Sequence, residues 1–223
     1  MMRVVAGDAE RAAAGAAQWI ASALREDIAA RGHATLAISG GSTATAMLEA
    51  LARESLPWTR LRVAQVDERI VAADDPRRNL VSQRSALVVR GLLPPANLLA
   101  LPVENPGRET MNGYGKLLAE LDIAQLGLGA DGHTASLIPG DPALNACDPV
   151  ALSGPYLGTR RMTLSFAAIN VARRIVWLVT GESKRAALRQ LLAGQDDIPA
   201  LQVRRTGVVV FADVAAAGDF DTA

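Results

Sequence analysis

Short apolar runs alternate along the chain with stretches in which alanine and leucine recur at helical spacing. The apolar runs predict strands at Thr35–Ser39, Leu61–Val66, Asn97–Leu101, Ile123–Leu128, Ile175–Thr180 and Val208–Phe211. The other stretches predict helices at Ala9–Arg31, Thr43–Arg53, Val81–Arg90, Glu109–Leu121 and Ser183–Ala193. Because strands that are apolar on both faces are typical of buried parallel sheets, this alternation predicts an α/β fold, a three-layer α/β/α sandwich with a mostly parallel sheet. We expect Gly140–Arg160 to form a long loop or a small excursion.

Composition narrows the class of protein. The 223 residues carry 23 Lys and Arg against 23 Asp and Glu, so we expect no nucleic-acid partner. Cys147 is the single cysteine, and His33 and His133 are the two histidines, which excludes an internal disulfide and a thiolate or histidine-rich metal site. No apolar run approaches the ~20 residues that span a bilayer, and charges interrupt the alanine-rich start, unlike a signal peptide.

These features predict one reduced, soluble, cytoplasmic domain over residues 1–223, with no membrane association. Three Trp, two Tyr and three Phe give no sign of a large aromatic interface. We therefore expect a monomer, with a homodimer as the alternative.

Polar and glycine-rich segments follow four of the predicted strands. In open α/β sheets the ligand binds outside the carboxyl ends of the strands. The segments at these ends are Gly40–Thr43, Asp67–Arg69, Gly129–Thr134 and Gly181–Lys184. The strands before them are almost wholly apolar, so the pattern predicts an active site at this edge of the sheet.

The first segment joins a predicted strand to a predicted helix and consists of Gly40, Gly41, Ser42 and Thr43. Glycines allow close approach of a ligand, and free amides at a helix N-terminus favour an anion such as phosphate. The alternative is a tight turn in which Ser42 or Thr43 caps the helix. The spacing matches neither a P-loop nor a dinucleotide fingerprint, so nucleotide hydrolysis and NAD chemistry are disfavoured.

Lys184 begins a predicted helix, where a cation opposes the helix dipole unless an anion offsets it. A bound phosphate is one candidate for that anion, and Glu182 is the other. Arg161 could add a forked contact to the same phosphate, and periodicity cannot choose between it and Arg160.

Asp131 and His133 lie two residues apart in a glycine-flanked loop. Histidine suits proton transfer near neutral pH, and a neighbouring carboxylate and the strand-end position favour a catalytic over a structural role. His33 instead follows Gly32 at the end of a predicted helix, as expected of a C-terminal cap.

The segment Asp67–Arg69 supplies acid and base together, and the alternative is a solvated cluster of salt bridges. Asn79, ten residues after Arg69, is expected to hold this loop in place.

These segments resemble the 6-phosphogluconolactonases, within the wider group of sugar-phosphate isomerase and deaminase-like proteins. The matching blocks follow the family order and are Leu36–Thr43, Val66–Arg69, Leu126–Gly140, Arg161–Leu164, Ile169–Asn170 and Val179–Lys184. The block containing Asp131–Leu137 is the most specific, whereas Gly40–Thr43 is shared across the wider group.

The resemblance implies the isomerase/deaminase-like, Rossmann-type topology and hydrolysis of 6-phospho-D-glucono-1,5-lactone to 6-phosphogluconate without metal or organic cofactor. By similarity, His133 is the general base and Asp131 orients it or contacts substrate hydroxyls. Arg69 is the cation at the developing oxyanion, and Asp67 accompanies it in the catalytic set. The phosphate is expected on the following residues: Gly40, Gly41, Ser42, Thr43, Arg161 and Lys184.

The sequence departs from the family pattern at two places. Arg78 stands where a serine usually precedes the asparagine at position 79, which puts the local loop contact in doubt. Ile138 replaces the usual phenylalanine.

Two rival functions share this fold. Ring-opening deaminases and isomerases carry a glutamate five residues after the histidine, where this chain has Ile138, and tend to have an aromatic residue in place of Arg69. A sugar-phosphate sensor would need a DNA-binding domain, for which the chain leaves no room before its first predicted helix.

Overall fold

The computed structural model describes residues 2–195 and 197–218. A seven-stranded, all-parallel sheet has the strand order β1-β10-β9-β6-β2-β3-β5. Its strands are β1 (Met2–Ala6), β2 (Ala34–Ile38), β3 (Leu61–Gln65), β5 (Leu98–Leu99), β6 (Ile123–Leu126), β9 (Arg174–Val179) and β10 (Val208–Asp213). A smaller antiparallel sheet, in the order β4-β8-β7, comprises β4 (Asp67–Arg69), β7 (Val150–Tyr156) and β8 (Thr159–Leu164).

Helices cover both faces of the parallel sheet, as the sequence predicts for an α/β/α sandwich. The α-helices are α1 (Ala9–Arg31), α2 (Ser42–Leu51), α3 (Asn79–Gln83), α4 (Arg108–Leu117), α5 (Phe166–Asn170), α6 (Arg185–Ala193) and α7 (Val214–Ala217). Residues Arg84–Val88 continue α3 as a π-helical segment. In the part of the chain that the structure describes, no helix combines the length and apolar character needed to cross a membrane.

The core forms two clusters, one on each face of the sheet. Leu36 and Ile38 of β2 pack with α1 and α2, whereas Ala37 between them packs on the opposite face. This alternation follows from the two-residue period of a strand. All three side chains are buried, which explains why both faces of the strand are almost wholly apolar, with the buried Thr35 as the exception.

The long helix α1 has the predicted bounds because its ends carry strong signals. Asp8 accepts a hydrogen bond from the Arg11 amide at 2.7 Å at the N-terminus. Gly32, with φ of 83°, closes the C-terminus in the left-handed conformation. The cap is therefore Gly32, while the neighbouring His33 side chain contacts Glu120 at 3.3 Å.

The structure departs from the predicted elements at two places and decides between two alternatives at a third. Met2–Ala6 forms an edge strand that the sequence analysis does not predict, and Asn97–Leu101 contributes only the two residues of β5. The segment Gly140–Arg160 is not a long loop, since it contains β7 and the start of β8. It is thus the small excursion, a hairpin formed by β7 and β8. The antiparallel sheet places this hairpin against Asp67–Arg69, because β8 pairs with β4.

Candidate active site

A cavity of about 260 Å³ opens at the carboxyl ends of the parallel strands. Every site residue that the sequence predicts lines this cavity except Asp131, which lies beside it. The lining members are Gly40, Gly41, Ser42, Thr43, Asp67, Arg69, His133, Arg161 and Lys184. Residues from four strand ends and from the hairpin therefore meet in one place, although up to 144 positions separate Gly40 from Lys184 in the sequence.

The glycine-rich loop delivers the N-terminus of α2 to the cavity. Gly41 precedes the helix with φ of 96°, a conformation that L side chains rarely adopt. Contrary to the alternative expectation, neither Ser42 nor Thr43 caps α2, which has no side-chain cap. Thr43 instead shares a hydrogen bond of 2.8 Å between its hydroxyl and that of Thr180. The uncapped amides and the helix dipole favour an anion here.

Asn79 joins the glycine-rich loop to the loop that carries Arg69. A side chain on Gly40 would overlap it, since a Cβ there would lie 1.8 Å from Asn79 Oδ1. The same oxygen accepts a hydrogen bond from Arg69 Nη1 at 2.8 Å, and Asn79 Nδ2 donates to the Asp67 carbonyl at 2.9 Å. The contact that the sequence puts in doubt is therefore made.

Arg78, which departs from the family pattern, is buried below this loop and is held there by two carboxylates. Its guanidinium contacts the carboxylates of Glu104 at 2.9 Å and Glu68 at 3.3 Å. The Glu68 carboxylate also accepts hydrogen bonds at 2.8 Å from the amides of Arg69 and Asn79. Glu68 is thus a buried anchor and not part of a solvated cluster; its neighbours in sequence gave no sign of this.

His133 and Asp131 form a hydrogen-bonded pair at the rim of the cavity. His133 Nδ1 lies 2.5 Å from Asp131 Oδ1, and the His133 amide donates to the same oxygen at 3.2 Å. Partial burial opposes ionisation of Asp131, but the hydrogen bond and charge of His133 outweigh it and lower the pKa of that carboxyl. When Nδ1–H donates to Asp131, Nε2 keeps its lone pair and is available to accept a proton.

Glycine is required at the start of this loop. A Cβ on Gly129 would lie 2.0 Å from His133 Nδ1 and 2.5 Å from Asp131 Oδ1. Gly132, between the two functional residues, has φ of 79°. The glycines that flank the pair in sequence are therefore what allow its side chains to meet.

Asp67 is a buried carboxylate between two arginines. Burial raises the pKa of Asp67, and the opposing effects are a hydrogen bond of 2.6 Å from Ser136 Oγ and the charges of Arg69 and Arg161. Arg69 and Arg161 are direct cross-strand partners in the antiparallel sheet, so their side chains share a face. Burial also disfavours the charged form of Arg161 and so lowers the pKa of its guanidinium.

The structure distinguishes Arg161 from Arg160, the other candidate for the phosphate contact. Arg161 is buried and lines the cavity, whereas Arg160 is exposed on the other face of β8. Glu182 pairs with Arg185 at 3.4 Å, and Lys184 forms no ion pair with any residue that the structure describes. The alternative in which Glu182 neutralises Lys184 is therefore not what the structure shows.

Tyr156, at the end of β7, is a site residue that the sequence analysis missed. Its ring meets the His133 ring edge-on, with centroids 5.1 Å apart, and its hydroxyl lies 3.4 Å from Asp131 Oδ2. The Arg161 guanidinium lies over its ring at 5.2 Å. Only the pairing of the hairpin with β4 brings Tyr156 here, so no local signal in the sequence identifies it.

Comparisons with known proteins show the family to which the chain belongs. A sequence model of the family described as glucosamine-6-phosphate isomerases/6-phosphogluconolactonase matches residues 7–211. A curated 6-phosphogluconolactonase from Synechocystis sp. is 36% identical over 190 residues, which are 80% of this chain and 79% of that protein. One from Homo sapiens is 30% identical over 209 residues, covering 84% of this chain and 81% of that protein.

Solved structures share the fold. The 6-phosphogluconolactonase from Trypanosoma brucei is 25% identical and has a TM-score of 0.86, covering 99% of this chain and 98% of that one. A monomeric glucosamine-6-phosphate deaminase, 22% identical, has a TM-score of 0.85 over 97% of this chain and 99% of that one. That second likeness concerns the fold alone. By the extent of the family match and the identity to curated relatives, the chain belongs to the glucosamine-6-phosphate isomerase/6-phosphogluconolactonase family.

Proposed function

We propose that this chain hydrolyses 6-phospho-D-glucono-1,5-lactone to 6-phosphogluconate, with His133 as the general base. The observation that carries the proposal is the 2.5 Å contact between His133 Nδ1 and Asp131, at a cavity that also contains unpaired cationic groups. Curated relatives in bacteria and mammals bear the name 6-phosphogluconolactonase, which supports this member of the family's activities.

The substrate phosphate binds beside the N-terminus of α2. The N-terminus of α2 offers backbone amides, and Lys184 and Arg161 offer positive charge. Arg161 Nε is buried and has no hydrogen-bond partner among the described residues, which is costly unless a ligand supplies one. A dianionic phosphate meets all three requirements.

Hydrolysis occurs in the same cavity, between His133 and Arg69. His133 Nε2 takes a proton from water as the water oxygen bonds to the lactone carbonyl carbon. The carbonyl oxygen becomes an oxyanion beside the Arg69 guanidinium. Collapse of this intermediate breaks the bond to the ring oxygen, which receives the proton from His133, and the product is the open-chain acid.

The general base and the oxyanion contact each contribute a large acceleration of hydrolysis. General acid–base catalysis contributes about 10²–10⁴-fold and one preorganised oxyanion donor about 10²–10³-fold. Asp67 lines the same cavity, where the positive charges of Arg69 and Arg161 favour its ionised form. All of these residues come from one chain, so the proposal requires no second subunit and retains the expectation of a monomer.

The deaminase alternative lacks the residue that would support it. Ile138 is partly buried, does not line the cavity and cannot polarise a histidine. The fold itself does not discriminate, because a deaminase structure matches as well as lactonase structures do.

The test is hydrolysis of freshly generated 6-phosphogluconolactone, coupled to 6-phosphogluconate dehydrogenase, with spontaneous hydrolysis subtracted. We expect His133→Ala to lower kcat by about 10²–10⁴-fold because it removes the base. The matched control is His33→Ala, which removes the other histidine, a half-exposed side chain that contacts only Glu120 in the described structure.

Three outcomes decide the proposal. Fast wild-type turnover that His133→Ala abolishes and His33→Ala preserves supports both the reaction and the base. Activity that survives His133→Ala removes the base from its role. A wild-type protein that binds 6-phosphogluconate but does not accelerate hydrolysis contradicts the reaction.

A further inference from the structure

The Tyr156 side chain contacts both a residue of the proposed phosphate site and the Asp131–His133 pair. Its ring edge contacts His133, and its hydroxyl lies 3.4 Å from Asp131 Oδ2, the carboxylate oxygen that does not contact His133. The face of its ring carries the Arg161 guanidinium, and Arg161 Nη2 donates to the Tyr156 carbonyl at 3.4 Å. One side chain thus touches a phosphate-binding arginine and both members of the catalytic pair.

We propose that Tyr156 is a positioning residue that transmits occupancy of the phosphate site to the Asp131–His133 pair. The proposal rests on the lactonase function proposed above. Tyr156 does not line the cavity, so it acts through Arg161 and His133 and does not itself touch the substrate.

Arg161 is the residue of the described hairpin that lines the cavity, so a bound phosphate acts on the hairpin through it. The Arg161 side chain is largely buried and forms no ion pair with the residues that the structure describes. A phosphate accepting two hydrogen bonds would fix the plane of the guanidinium. Because that plane lies over the Tyr156 ring, fixing it also restricts the ring, through a cation–π contact.

The restricted ring then limits the motion of His133. Edge-to-face aromatic contacts have a preferred geometry, so a fixed Tyr156 ring favours one orientation of the imidazole. The hydroxyl near Asp131 Oδ2 directs the other carboxylate oxygen toward His133 Nδ1. Binding energy from the remote phosphate is thereby used to orient the base at the reacting carbon.

The hairpin formed by β7 and β8 links Tyr156 and Arg161 through its strand pairing. Tyr156 pairs with Thr159, and Arg161 pairs with Ser153, so an irregular register between Ser153 and Tyr156 redirects the end of β7 toward the cavity. A two-residue turn, Leu157 and Gly158, closes the hairpin with positive φ at both positions, as type I′ turns require.

The consequence is a defect that depends on the substrate's phosphate. We expect Tyr156→Leu to lower kcat for 6-phosphogluconolactone by about tenfold while KM changes less than about threefold, since misorientation of a catalytic group affects the chemical step. For glucono-1,5-lactone, which lacks the phosphate, we expect a change of less than about threefold. Tyr156→Phe keeps the ring and isolates the hydroxyl; we expect a loss of about threefold.

The matched control is Leu157→Asn in the turn of the same hairpin. Leu157 is 82% exposed, and asparagine tolerates its φ of 51°. This variant should match the wild type on both lactones. Equal losses on the two lactones in Tyr156→Leu, or a change in KM alone, would overturn the proposal.

A second measurement does not depend on turnover. Inorganic phosphate is titrated into the protein while NMR follows the imidazole signals of His133 and His33, the latter at the opposite edge of the sheet. We expect phosphate to shift the His133 signals in the wild type but not in Tyr156→Leu, and to leave His33 unmoved in both. If the wild type is not a lactonase yet shows this difference, the coupling stands and the proposed function fails.

The opposite results are equally clear. The same phosphate-induced shift in wild type and variant, or no shift of His133 in the wild type, overturns the coupling. Should Tyr156→Leu not fold, Tyr156→Phe tests the hydroxyl contact with Asp131 alone. A larger loss on 6-phosphogluconolactone than on glucono-1,5-lactone would support the coupling, and equal losses would overturn it.

Discussion

The amino and carboxyl edges of the parallel sheet use charged residues in opposite ways. At the amino edge, the buried carboxylates of Asp27 and Asp122 contact Arg31 at 2.9 and 2.5 Å. Asp27 also contacts Arg174 at 2.7 Å. These pairs join the end of α1 to the starts of β6 and β9, and each buried charge has a partner.

At the carboxyl edge the cations that line the cavity are left without ion-pair partners, although Glu68 and Arg78 form a buried pair beneath the loop that carries Arg69. Among the residues that the structure describes, Arg69, Arg161 and Lys184 form no ion pair, and the buried Nε atoms of Arg69 and Arg161 have no hydrogen-bond acceptor. Buried polar groups are normally satisfied, so unsatisfied ones at one edge mark a site that a ligand completes. The comparison teaches that the buried charges of the amino edge serve stability, whereas the unpaired cations of the carboxyl edge serve binding.

The largest effect that separates the two edges is on stability. We expect Asp122→Ala to lower the free energy of unfolding by about 3–5 kcal/mol, because it leaves Arg31 and Arg173 without this partner. It also leaves the buried Thr35 amide, which donates to Asp122 Oδ2 at 2.8 Å, unpaired. Denaturant unfolding measures the loss, and kcat per folded molecule should stay that of the wild type.

Glu120→Ala is the matched control for this variant. Glu120 lies two residues away, but its side chain is 78% exposed and its contact is with His33. Exposed pairs contribute under about 1 kcal/mol. If Asp122→Ala lowered the free energy of unfolding as little as Glu120→Ala does, or lowered kcat, stability and activity would not be divided between the two edges.

The next effect is on activity at the carboxyl edge. We expect Arg161→Met to raise KM for 6-phosphogluconolactone so that kcat/KM falls by about 10²–10³-fold, through loss of a buried charged contact. Its folding stability should be equal to or higher than that of the wild type, because an unpaired, desolvated guanidinium is removed.

Arg160→Met is the neighbouring control. Arg160 is exposed and does not line the cavity, so its loss should change neither kcat/KM nor stability. Thermal unfolding and steady-state kinetics on the two variants make the comparison. Similar kinetics in both variants would be inconsistent with a phosphate contact of Arg161.

The same contrast explains what the sequence could predict. The bounds of α1 follow from Asp8 and Gly32, and the central strands follow from their apolar character, since both signals are local. The meeting of Gly40 with Lys184 follows from a general rule for parallel sheets, namely that strand ends at one edge converge. These parts of the fold and the cavity were therefore predictable.

What failed depends on non-local pairing. The position of Arg161 next to Arg69 is set by the antiparallel register of β4 and β8, which no period within Gly140–Arg160 reveals. Tyr156 reaches His133 only as a result. Glu68 looks like a solvated acid in sequence, because its buried partner Arg78 is known only from the fold.

The smallest expected effect is on thermal stability, at Asp67, a residue that also belongs to the proposed catalytic set. Burial raises its pKa in the folded protein, so its contribution to stability is present at acidic pH and is lost as pH rises through the folded-state pKa. Asp67→Asn removes this dependence. We therefore expect the variant to gain Tm over the wild type at pH 7 and to gain less at pH 4, while it loses lactonase activity. A Tm gain that grows toward acidic pH would contradict the sign of this effect, and a Tm loss at pH 7 would mean that ionised Asp67 stabilises the carboxyl edge through its two arginines.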